Sequence, residues 1–373
     1  MIAARAYMPD GRIGTGLERL EVEVSRLMAL FAEAGAQKVE PGALLDADVL
    51  LDLYGEDIRG RAYVTQDPVL GERMLRPDFT VPVTQMHAAH GAEPARYAYA
   101  GPVWRRQEPG SGRPTEYLQV GFEIFDASDA ARVDAEVFAL FSAALAGQGL
   151  AVETGDLGVL FAAIDALDID ARRAGMLRRH VWRPKRFRRV LDTFSNTTRR
   201  AALLDQTVED WRAAALTASP QNGIRSVDEV IARLSDLAAE RELPELSGEQ
   251  RQMLQQVLDT KGSLFSALTE LTELSHNFPP LAKAAQRLEA RIAALDAAGL
   301  DGGALPFAAS FGRTTMEYYD GFVFGFVDRE RPDLPPVASG GRYDALTAAL
   351  GPAIPAVGGI IRPEALLSRK AAS

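Results

Sequence analysis

The chain has 373 residues, a formal net charge of -10 and no cysteine. That length holds two domains, or one domain with a large insertion. The lack of cysteine excludes a disulfide framework and a thiolate metal site. The acidic balance argues against broad affinity for nucleic acid, which requires neutralised phosphates. With 47% hydrophobic and 25% charged residues, the composition is that of a soluble globular protein. No apolar run nears the roughly 20 residues of a membrane span. Residues 1–11 lack the apolar core of a signal peptide, so the cytoplasm is the expected compartment.

Residues 1–14, with Pro9, Gly11 and Gly14, read as an irregular arm. Leu17, Leu20, Val24, Leu27 and Phe31 recur at spacings of three and four, which predicts a helix stopped by Gly35. Leu50–Tyr54 and Arg61–Val64 read as strands or their flanks. The segment Leu75–Thr80 ends a strand, and a helix is expected to open at Val81 or Pro82 with Thr80 as its cap. Asp78 and Thr80 then stand at a strand-to-helix junction, either facing a pocket or only capping the helix.

Tyr97 to Phe125 predicts two strands around a basic, glycine-containing loop from Pro109 to Pro114. On the second strand Gln119, Gly121 and Glu123 share one face, while Leu118, Val120, Phe122 and Ile124 share the other. This fits either a hairpin with one wet face or polar groups turned into a cavity, with room for a ligand over the glycine. Val133, Val137, Leu140, Phe141, Ala144 and Leu145 mark a further helix.

From residue 157 to 300 the chain turns rich in Ala, Leu, Arg, Gln and Glu, which predicts an almost all-helical stretch. Ser226 with Glu229 and Ser247 with Gln250 have capping-box spacing. Breaks are expected near Pro184, Pro220, Pro244 and Pro279-Pro280. Between Arg172 and Arg200 lie eleven Lys or Arg residues. They form either a solvated helix face paired with acids, or a surface for RNA, phosphate or an acidic subunit. Strand character returns at Phe322–Val327, Val337–Tyr343 and Val357–Ile361, with a short helix at Ala345–Leu350. His87 and His90 have no neighbouring ligand residues, and no phosphate loop is present, so neither a metal nor a cofactor is expected.

Five blocks now stand in order along the chain. They are Leu75 to Thr80; Arg105 with Gln119 and Glu123; Glu317 to Phe324; Gly340 to Asp344; and Pro355 to Gly359. Together they resemble the motifs of class II aminoacyl-tRNA synthetases. The likeness is greatest to the histidyl-tRNA synthetases and their non-synthetase paralogues, the regulatory subunits of ATP phosphoribosyltransferase. It covers roughly residues 15–160 and 305–367. The resemblance implies an α/β (α+β) fold, a mostly antiparallel sheet flanked by helices. The core would come in two parts, 1–156 and 304–373, around a helical insertion, 157–303, without the anticodon-binding domain of the synthetases.

The resemblance also implies a pocket for a histidine-like ligand. Asp78, in place of the family's Glu, and Thr80 match the ammonium site. Gln119 and Glu123 match groups that reach the ligand's polar atoms and imidazole. Tyr318, Tyr319 and Tyr343 match pocket tyrosines, and Arg105 adds positive charge. A carboxylate and a phenol suit a neutral imidazole, which offers one donor and one acceptor.

On the ATP side the pattern departs. Ala365, Thr314 and Thr115 stand where the synthetases have Arg, and Gln107 replaces an acid. Arg362 lies three residues before Ala365. Arg313 lies one before Thr314, a shift that turns a strand side chain to the other face. Losing two or three charge-assisted hydrogen bonds removes about 3–9 kcal/mol of the interaction that positions ATP. The expectation is a non-catalytic regulatory subunit. It would form a homodimer core within a hetero-oligomer with the short-form ATP phosphoribosyltransferase catalytic subunit, at the first step of histidine biosynthesis, with histidine as candidate ligand. The alternatives are a truncated synthetase-like enzyme activating an amino acid for a non-tRNA acceptor, and an RNA-binding relative using Arg172 to Arg200.

Overall fold

A computed structural model describes residues 12–49, 60–108, 110–111, 113–195, 206–217, 226–241, 243–313 and 318–370. The arm at 1–11, the strand expected at Leu50–Tyr54, and Arg199, Arg200, Pro220, Thr314 and Glu317 lie outside them.

The first helix, α1 (Gly14–Glu33), buries Leu20, Leu27 and Phe31, as their spacing predicts. It stops before Gly35, whose φ of 84° is left-handed. After β1 (Gln37–Lys38) comes a separate antiparallel sheet of β2 (Leu44–Asp46), β3 (Val64–Asp67) and β4 (Gly71–Leu75). Helix α2 (Thr80–His90) leads into the hairpin of β5 (Ala95–Trp104) and β6 (Glu116–Phe125), then α3 (Ala130–Ala144) and β7 (Ala151–Asp156).

Eight helices follow among the described residues: α4 (Leu157–Asp165), α5 (Ala171–Arg179), α6 (Pro184–Phe194), α7 (Val208–Thr217), α8 (Val227–Arg241), α9 (Gly248–Asp259), α10 (Leu264–Ser275) and α11 (Pro280–Ala297). Prolines open α6 and α11, because the first turn has no use for their missing N–H. Both expected capping boxes form. Ser226 and Glu229 bond reciprocally, and so do Ser247 and Gln250. The stretch is not helical throughout, since β8 (Lys261–Ser263) pairs with β9 (Pro306–Ala308) at the edge of the main sheet. The chain then adds β10 (Phe322–Val327), β11 (Ala338–Arg342), α12 (Asp344–Leu350), β12 (Ala356–Ile361) and α13 (Pro363–Lys370).

The main sheet has nine strands in the order β1-β5-β6-β12-β11-β10-β7-β9-β8. Among the described residues, only the β1–β5 and β7–β9 pairs are parallel. Every residue of β12 is buried at the sheet's centre. There Gly340 and Gly341 pair with Gly359 and Gly358.

Helix α11 packs on α3 and α4. Its Arg291 enters the core and bonds Asp156 at 2.7 Å and Asp134 at 3.1 Å, while Arg342 approaches Asp134 at 2.7 Å. All four groups are buried. Burial works against the Arg342 charge, yet Asp134 and Asp344 outweigh it and its pKa is raised. Trp182 makes a second link to the core, donating from Nε1 to the Tyr319 carbonyl at 3.0 Å.

Candidate functional site

Strand β6 is the floor of the site. Glu123 lies opposite Tyr97 on β5 and Gly358 on β12, and its side chain is fully buried. A Cβ at Gly358 would collide with the Glu123 carboxylate, so the glycine-rich strand makes its room. Three hydroxyls donate to that carboxylate: Tyr99 at 2.8 Å and Thr80 at 3.1 Å to Oε1, and Tyr343 at 2.7 Å to Oε2. Burial nevertheless pushes Glu123 up to about 7, against the pull of those hydrogen bonds.

Thr80 is the first residue of α2 rather than its cap. The N-cap is Phe79, which has no side-chain acceptor, and Asp78 Oδ1 takes the Val81 N–H at 3.4 Å instead. The Thr80 hydroxyl is thus released to serve Glu123, and it accepts from Tyr318 at 3.2 Å.

Above this floor lies an inner cavity of about 290 Å³. Of the eight predicted residues, Asp78, Thr80, Arg105, Gln119, Tyr318 and Tyr319 line it. Glu123 and Tyr343 do not, and stand behind the wall. The physical reason is Tyr99. Its ring sits over Gly121, where a Cβ would collide with it, and stacks on Phe79 at 4.3 Å. The room expected for a ligand over Gly121 is therefore filled by the protein's own phenol.

The cavity wall carries both signs of charge. Burial raises the Asp78 pKa, and Arg105 opposes that with Nη2 3.8 Å from Oδ2. Arg105 is anchored by its Nε, which donates to the Pro77 carbonyl at 2.7 Å. Asp78 Oδ2 and Gln119 Oε1 are buried and receive no hydrogen bond. Such oxygens are costly unless a donor arrives.

An outer cavity of about 580 Å³ adjoins the inner one. Arg61, Arg105, Arg106, Arg113 and Arg362 line it, with Glu108, Glu364 and Ala365. Arg105, Arg113 and Arg362 face both cavities. Arg313 does not line either. Its Nε donates to the Val181 carbonyl at 2.7 Å and its guanidinium lies over the Phe187 ring.

Sequence reasoning missed Tyr99, whose signal was its register opposite Gly121. It weighed Arg362 only as a substitute for an ATP ligand. His87, one of the two histidines set aside as metal ligands, is a packing residue. It meets the Tyr97 hydroxyl at 3.0 Å and stacks on Phe125. In the basic stretch Arg172 pairs with Asp236, Arg173 with Asp170 and Arg178 with Asp165. Lys185, Arg188 and Arg189 are exposed.

The antiparallel sheet, the motif-bearing hairpin and the glycine-paired central strands define a class II synthetase-like catalytic domain. The family profile described as histidyl-tRNA synthetase matches residues 15–245 and 228–366. The ATP phosphoribosyltransferase regulatory subunit of Mesorhizobium japonicum is 31% identical, over 91% of this chain and 95% of its own length. That of Brucella anthropi is 34% identical, over 87% and 90%. The chain belongs to the histidyl-tRNA synthetase family, on the branch of the ATP phosphoribosyltransferase regulatory subunits. Two solved structures share the fold. A Bacillus halodurans protein described as ATP phosphoribosyltransferase regulatory subunit/histidyl-tRNA synthetase gives a TM-score of 0.68 at 20% identity, covering 99% of this chain and 83% of that one. A Nostoc histidyl-tRNA synthetase gives 0.63 at 19% identity, covering 95% and 73%.

Proposed function

We propose that this chain is the non-catalytic regulatory subunit of an ATP phosphoribosyltransferase, acting at the first step of histidine biosynthesis and binding a histidine-like amino acid in its inner cavity. One observation carries the reading: two relatives of that name match it over about nine-tenths of its length. The site supports it. The amino-acid side retains Asp78, Thr80, Gln119, Tyr318 and Tyr319 around the inner cavity. On the outer side Ala365 lines the chamber at the position of a synthetase arginine. Without an arginine at that position, one cation that would polarise ATP for adenylation is missing from the wall.

The partner is a short-form catalytic subunit, and the assembly is a hetero-oligomer built on a homodimer of this chain, in the cytoplasm. Among the described residues no helix is long and apolar enough to cross a membrane. Reconstitution tests the proposal. The short-form catalytic subunit should turn over only when this chain is added, and full activity of the catalytic subunit alone, unchanged on mixing, contradicts it. Histidine-dependent ATP–pyrophosphate exchange by this chain should stay at background; exchange clearly above it would make the protein an enzyme.

A further inference from the structure

We propose that Arg362, with Arg105 beside it, binds the carboxylate of a zwitterionic α-amino acid held in the inner cavity. This rests on reading that cavity as an amino-acid site. Position 314, where the synthetases have an arginine, is threonine in this chain. Arg313 next to it is buried against Val181 and Phe187 and lines neither cavity. The carboxylate therefore needs another cation.

Arg362 supplies it from an unexpected place. It sits between the last residue of β12, Ile361, and the first of α13, Pro363. The chain turns from strand to helix there, so a residue three positions ahead of Ala365 still faces both cavities. Its Nη1 donates to the Pro336 carbonyl, which fixes the fork, while its Nε is buried without a hydrogen-bond partner. Among the described residues it forms no ion pair. Glu364, close in sequence, is taken by Arg12 and by the Leu118 N–H.

Burial lowers the Arg362 pKa, and the like charge of Arg105 adds to that while Tyr117 and Tyr319 oppose it. Of the three arginines on this cavity, Arg113 is exposed and donates to the Asp333 carbonyl at 2.6 Å, whereas an anion between Arg105 and Arg362 relieves both desolvation and repulsion. The same cavity offers the buried, undonated oxygens of Asp78 and Gln119 to an ammonium. An amine alone leaves the guanidiniums facing each other, and an acid alone leaves Asp78 without a donor. An α-amino acid satisfies both sets.

Calorimetric titration of the full chain with L-histidine and L-histidinol, which has an alcohol in place of the carboxylate, tests this. Wild-type protein should bind histidine at least about tenfold more tightly than histidinol. Arg362→Gln should bring the two ligands to within about threefold, with histidinol affinity unchanged, and Arg362→Lys should restore part of the preference. A preference preserved in Arg362→Gln, or equal loss of both ligands in Gln and Lys variants, overturns the assignment. Equal wild-type affinity for the two ligands also overturns it while leaving the amino-acid cavity standing. Binding of neither ligand by the wild type removes the cavity reading itself, a distinguishable failure.

Discussion

Two fully buried carboxylates in this protein are held in opposite ways. Asp134 meets two guanidiniums, Arg291 from the helical stretch and Arg342 from the central sheet. Glu123 meets three hydroxyls and, among the described residues, no cation. The first arrangement sets two cations against a carboxylate that burial still pushes up, and it ties the helices to the core. The second leaves the proton loosely decided, because hydroxyl donors offset only part of the desolvation that burial imposes. The latch lies under the fold, and the titratable group lies under the cavity.

The largest effect is expected where the latch is broken. Asp134→Ala leaves Arg291 and Arg342 buried without a shared partner and should lower unfolding free energy by about 3–5 kcal/mol. Denaturant midpoints measure it. A loss below about 1 kcal/mol would show that the pairing is worth little more than an exposed one.

Next comes ligand affinity. Asp78→Asn removes a charged acceptor from the cavity wall and should weaken histidine binding about 10- to 150-fold. Glu123→Gln should weaken it by less, because that carboxylate stands behind the wall and is already bonded by Thr80, Tyr99 and Tyr343. Calorimetry on both variants ranks them; the reverse order would mean that Tyr99 moves aside to admit the ligand.

The pH dependence of stability tests the Glu123 proton. Glu123 rises from an ordinary value of 4.5 to about 7 in the folded protein. The fold then binds more protons than the unfolded chain between those values. The contribution is present in full below pH 4.5 and is lost as pH rises through about 7. The Glu123 share of the fall in wild-type stability from pH 5 to 8 should be roughly 1–3 kcal/mol. Asp320, also pushed up to about 7 by burial and by Asp344, acts with the same sign. Glu123→Gln should therefore flatten the profile without abolishing its slope, and an unchanged profile would show that Glu123 stays ionised throughout.

The smallest effect is Tyr99→Phe. It keeps the ring over Gly121 and deletes one donor to Glu123, costing about 1 kcal/mol. The loss should be greater at pH 8 than at pH 5.5, since the ionised carboxylate depends most on its donors. A loss independent of pH would place the cost in packing.

Local chemistry wrote much of this protein plainly. The amphipathic spacing of α1, the capping boxes at Ser226 and Ser247 and the prolines opening α6 and α11 are short-range signals, and each formed as its residues dictate. Period-two facing marked Gln119 and the strand-to-helix junction marked Asp78 and Thr80, while Arg105, Tyr318 and Tyr319 came from the resemblance to the synthetase motifs. What no local pattern contains is which strand neighbours which. Only the sheet order sets Gly358 beside Glu123, and only the packed hairpin shows the Tyr99 ring over Gly121 with Glu123 behind the cavity wall. Only the turn from β12 into α13 returns Arg362 to the cavity beside Arg105. Partners 157 and 208 residues apart meet on Asp134 for the same reason: burial in a common core, not proximity in the chain, decides which charges must find each other.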